Sequence, residues 1–131
     1  MTTHNKYSGE IKESLGGKER VFKMTFERIV HLEDSLGQSI MDIARNMSSG
    51  QFSVKSIAEV LYQALLGAGG KYEKNAIGKM VMEDGIVRGA EIASKVLATL
   101  FTTKEEQDSE SPLVQGENQS KETTLSKSTS K

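Results

Sequence analysis

A chain of 131 residues has room for one core domain and an extension, because a single core takes on the order of 100 residues. With 36% hydrophobic and 5% aromatic residues and no Trp, that core must be small and aliphatic, with Met filling its gaps. A net charge of -1 removes any chain-wide electrostatic case for nucleic acid, and zero Cys excludes disulfides, thiolate metal sites and a Cys nucleophile. The leader MTTHNKYS lacks the apolar stretch of a secretory signal, and no apolar run approaches the roughly 20 residues that cross a bilayer. The expectation is a soluble cytoplasmic protein with no membrane partner.

Residues 9–24 read as a hairpin. Gly9 to Leu15 alternates, Gly16-Gly17 breaks, and Arg20 to Met24 resumes. A two-residue primed turn at Gly16-Gly17 sets Glu13 opposite Arg20 and Ile11 opposite Phe22, predicting one ion pair and one apolar pair. From Thr25 the period lengthens to about 3.6, predicting a helix with Phe26, Ile29, Val30 and Leu36 inward and Gly37 at its end. Ser39 then caps a short helix carrying Ile40, Ile43, Ala44 and Met47 on one face. Ser53 caps the next, with Phe52 and Ile57 at the spacing of a hydrophobic staple. Its apolar positions, Val54, Ile57, Ala58, Val60, Leu61, Ala64 and Leu65, run most of the way round, which predicts the central and most buried helix. Two further helices follow. Glu73 to Glu83 turns Ile77, Met80 and Val81 inward, Gly85 separates, and Ile86 to Phe101 turns Ala90, Ala93, Leu97 and Leu100 inward. The remainder is too polar to bury enough surface to offset its ordering entropy, so a disordered tail is expected.

Several stretches suggest chemistry. Leu65-Leu66-Gly67-Ala68-Gly69-Gly70-Lys71 resembles a phosphate-binding loop, but that motif needs Gly at position 65 and Ser or Thr at position 72, where the chain has Leu65 and Tyr72. A strand must also precede it, and here a helix does. The simpler reading is a helix stop, with Gly67 as the left-handed residue and Gly69 and Gly70 reversing the chain. His31 and Asp34 are one turn apart with Ser35 nearby, yet the wheel turns His31 away from the apolar stripe, where nothing excludes water. His4 lies in the leader with no ligand spacing around it. Glu33 falls beside the stripe and needs a partner, which Arg45 or a helix N-terminus can supply. Glu83-Asp84 is an adjacent pair at a helix end and does not converge. Met41, Met47 and Met80 read as gap fillers, while Met82 points away from Ile77 and Val81. No catalytic, cofactor-binding or metal-ligating residue is assigned, and an enzyme is the least supported class.

The order hairpin, FERIVHLEDSLGQSIMDIARNM, SVKSIAEVLYQALLGAGG and a Gly-punctuated segment ending in VLATLF resembles the small tail protein family of gene transfer agents and related long-tailed phages. Its most specific parts are Leu32 to Gly37 and Leu65 to Gly69, and it covers about Gly9 to Phe101. The resemblance implies a non-enzymatic tail morphogenesis protein, either an assembly chaperone that holds the tape-measure protein while tube subunits polymerise, or a tube component. It implies tape-measure and tail tube proteins as partners, a homo-oligomer as a further one, and a bacterial cytoplasm or phage-like particle as its location. A small helical DNA-binding regulator is the remaining alternative, but Lys74 and Lys79 stand among Glu73, Glu83 and Asp84, a poor phosphate footprint. The expected fold is α+β, an N-terminal hairpin on four or five helices. Residues 1–8 are a leader, 9–103 one domain, and 104–131 the disordered tail.

Overall fold

The computed structural model describes residues 9–102; the leader and the predicted tail lie outside them. Two strands come first, β1 (Ile11–Leu15) and β2 (Lys18–Phe22), followed by five helices: α1 (Phe26–Leu36), α2 (Ile40–Ser48), α3 (Val54–Gly67), α4 (Lys74–Asp84) and α5 (Ile86–Ala98). The fold is α+β, with the hairpin leaning on a five-helix bundle.

Gly16 and Gly17 both hold positive φ, 66° and 83°, as a primed two-residue turn requires. The register is the predicted one, Ile11 opposite Phe22 and Glu13 opposite Arg20. The predicted ion pair does not form between them. The face carrying Glu13 packs toward α5, whose Arg88 and Lys95 reach its carboxylate at 3.1 and 3.0 Å. Arg20 instead donates to the Leu15 carbonyl at 2.6 Å and lies 5.6 Å from the ring centre of Tyr72. Leu15 and Phe22, both fully buried on this face, carry the hairpin into the core, each contributing on the order of 1.5–3 kcal/mol.

Helix starts follow the side-chain caps. Thr25, Ser39 and Ser53 each accept a backbone N–H from the first turn of α1, α2 and α3, and Ser56 returns the bond to Ser53 as a reciprocal capping box. On α1 the buried stripe is Ile29, Leu32 and Leu36, not the predicted set: Phe26 is 82% exposed and Val30 40%. The helix carries more apolar residues than one stripe can hold, and Leu32, fully buried, centres it away from Phe26 and Val30. Helix α3 is the hub, packed against α1, α4, α5 and β2.

The end of α3 sets the position of the hairpin. Gly70 N–H bonds the Leu65 carbonyl and Gly69 N–H the Leu66 carbonyl, a Schellman closure whose left-handed residue is Gly69 at φ 96°. Gly67, expected in that role, is instead the last helical residue. A Cβ there would lie 2.0 Å from the Lys23 carbonyl oxygen, while Lys23 N–H bonds the Ala64 carbonyl at 2.9 Å. The strand exit and the helix end therefore touch backbone to backbone.

Two predictions follow from this docking. Gly67→Ala should lower stability by about 3 kcal/mol in urea unfolding, since the colliding atom is backbone and cannot rotate away. Partial burial of Glu13 pushes its carboxyl upward, but hydrogen bonds and charge from Lys95 and Arg88 outweigh this and hold it below the ordinary 4.5. The stabilisation from a depressed folded-state value is full above 4.5 and is lost as pH falls through the lower folded-state value. Glu13→Gln should therefore be less stable than the wild type at pH 7, by about 1 kcal/mol, and the gap should close on acidification.

Candidate functional site

The residues that suggested chemistry do not converge. His31 and Asp34 are exposed on the outer side of α1, and Glu33 turns the other way to accept the Ile40 N–H at 2.8 Å, capping α2. Of its two predicted partners the helix N-terminus is the one used; Arg45 pairs with Asp42. Glu83 is exposed, and Asp84 accepts the Gly16 N–H at 3.0 Å, pinning the hairpin turn to the end of α4. The backbone N–H groups of Gly69 and Gly70 are spent on the α3 closure. His4 lies outside the described residues. Among the described residues no three His, Asp or Glu side chains gather within reach of one metal ion, and no helix is long and apolar enough to cross a membrane. Met47 is buried and Met80 half-buried, as gap fillers should be, but Met41 is 53% exposed and Met82 61%.

Sequence reading passed over two residues at the centre of α3. Glu59 is 2% exposed and Gln63 5%, one turn apart inside the apolar run. Gln63 donates to Glu59 at 3.1 Å and accepts from Arg28 of α1 at 3.1 Å, while Lys74 of α4 reaches Glu59 at 3.1 Å and lies 5.3 Å from the Tyr62 ring centre. The chain Arg28, Gln63, Glu59, Lys74 ties three helices together. Its members are mutually bonded, so it is a structural clasp rather than a reactive centre. The only available signal was the i, i+4 polar pair on an otherwise apolar helix.

What remains uncovered is contact surface. In a hairpin with a two-residue turn, alternate residues aim their backbone groups outward: Lys12 and Ser14 on β1, Glu19 and Val21 on β2. Arg88 donates to the Ser14 carbonyl at 3.3 Å, which covers the β1 edge, and the end of α3 takes Lys23. Lys12 on β1 and Glu19 and Val21 on β2 keep their outward backbone groups uncovered. On α1, Phe26 and Val30 form an apolar ridge. Between α2 and α5 runs a groove, about 610 Å³ where Met47, Phe52 and Val87 bound it, that continues past Ser48 and Ser94 to Phe101. Val87 is 71% exposed and Phe101 46%, so two of its apolar walls stand bare.

The uncovered apolar surface of this small α+β domain lies on its helices, where exposed apolar patches mark contact sites. Residues 8–103 match the family described as phage tail tube protein, GTA-gp10, and the chain belongs to that family. The match spans the hairpin and all five helices, which makes this a tail protein of the phage and gene transfer agent type. No curated protein and no solved structure matches the chain.

The clasp makes its own prediction. Lys74→Met keeps the stem of the side chain but leaves the buried Glu59 carboxylate without its cation, and should cost about 2 kcal/mol in urea unfolding. Adding Glu59→Gln removes the stranded charge and should recover most of that loss.

Proposed function

We propose that the protein is a structural component of the tail tube, built into the particle through contacts with copies of itself and with neighbouring tail proteins, and that it performs no catalysis. The observation that carries this is the family match, whose description names a tube protein and whose span takes in the whole hairpin and bundle. The ridge on α1 and the α2/α5 groove support it, since exposed apolar patches of this kind mark contact surfaces. In this reading residues 9–103 are one domain, 104–131 an extension, and the chain is made in a bacterial cytoplasm before it enters the particle.

A second reading, a tail assembly chaperone for the tape-measure protein, draws on a specific feature. The groove suits an apolar helix, and the exposed Met41 and Met82 are side chains that adapt to varied partners. A DNA-binding role draws no such support, because Lys74 is committed to Glu59 and the neighbouring Lys79 shares α4 with Glu83 and Asp84.

The two tail readings separate on particle composition. Quantitative mass spectrometry of purified particles should find this chain at a stoichiometry matching the other ring-forming tail proteins. Its absence from particles, together with loss of soluble tape-measure protein when the gene is deleted, would transfer the assignment to the chaperone.

A further inference from the structure

Two uncovered features on different helices of this chain fit one another. The ridge on α1 is Phe26 and Val30, one turn apart. The floor of the groove on the α5 side is the small row Ala90, Ser94 and Ala98, also one turn apart. Bulky residues spaced by four pack into a row of small residues spaced by four when two helices meet. The flanking charges then decide the direction. Beside the ridge lie Glu27 and His31, and beside the small row lie Glu91 and Lys95. On each helix the flank follows the contact row by one residue, a fixed rotation of about 100° in the same sense. Facing helices bring these flanks to the same side only when they run antiparallel. Glu27 then meets Lys95, and His31 meets Glu91, each a carboxylate against a nitrogen donor. Run parallel, the flanks fall on opposite sides and meet nothing.

We propose that α1 of one copy lies antiparallel in the α2/α5 groove of a second copy, with Phe26 as its anchor. Glu91 and Lys95 bond Arg88 and Glu13 within the chain, yet their side chains stay 59% and 55% exposed and have donor and acceptor capacity to share. Ridge and groove are different surfaces, so every copy that uses one still offers the other. Such a heterologous contact propagates, closing into a ring or extending as a filament. This deepens the tube reading and rests on it for its biological setting.

Because the chain contains no Cys, a cross-link can be read without background. Full-length His31→Cys and Glu91→Cys proteins, tagged to differ in mass, are mixed and oxidised. The mixed disulfide between the two variants should dominate over like pairs. Adding Phe26→Ser to the His31→Cys protein should cut its yield about tenfold, as loss of an interface anchor does. Phe26 is exposed in the isolated fold, so the urea midpoint of Phe26→Ser should match that of its parent. A mixed product no more abundant than like pairs, or one indifferent to Phe26→Ser, overturns the proposal. The failures are distinguishable: a cross-link from a chain absent from particles removes the tube reading and keeps this contact, whereas a chain present in particles without the cross-link removes this contact alone.

Discussion

The backbone contact between Lys23 and the end of α3 decides where the rest of the chain can go. With the Lys23 carbonyl seated where a Gly67 side chain would be, and its N–H on Ala64, the exit of β2 is fixed in position and direction. Phe22 and Met24 on either side are driven into the core, and Thr25 follows at once as the α1 cap. The helix begins at Phe26, which is left in solvent because Leu32 centres the buried stripe on another side of α1.

Much of the fold was legible because local chemistry wrote it. Gly16-Gly17 admits few turns other than the one observed, and Ser39, Ser53, Gly37 and Gly85 mark helix ends by mechanisms that need no tertiary partner. The limits appear where one position can serve two surfaces. On α1 the residues Phe26, Val30, Ile29, Leu32 and Leu36 satisfy more than one helical stripe, and only the packing on α3 selects among them. Gly67 and Gly69 exchange roles for a similar reason: a glycine required by a neighbouring backbone looks, in sequence, like one required by its own φ. Glu59 and Gln63 were hidden because their partners, Arg28 and Lys74, lie on other helices and mean nothing until the bundle forms.

The polar groups of the interior and the hairpin serve one purpose. Glu59 with Gln63 joins α1, α3 and α4; Glu13 with Arg88 and Lys95 joins β1 to α5; Asp84 holds the turn at Gly16. Each ties a long-range pair of elements in a domain whose aliphatic core supplies modest stability. Carboxylates that stood out in the sequence are absorbed by the same work, Glu33 as a helix cap and Asp84 as a hairpin anchor. Carboxylates so engaged are held for architecture, which fits membership of a family described by a tube rather than a reaction.

The placement of covered and bare surface also constrains how copies could meet. A two-stranded sheet with both edges free would invite strand pairing, the usual hazard of such a hairpin. Here Arg88 occupies the Ser14 carbonyl on one side, and α3 takes Lys23 on the other, which shortens the open edges to Lys12 on β1 and to Glu19 and Val21 on β2. Extending such pairing along β1 to the Ser14 carbonyl would require displacing Arg88, which also holds Glu13. On the helices, by contrast, the apolar side chains of Phe26 and Val87 stand bare, as does Phe101 just beyond α5. A chain that shortens its open strand edges and leaves apolar helix faces bare favours association by side-chain packing, where shape and charge can select one partner, over backbone pairing, which accepts almost any strand.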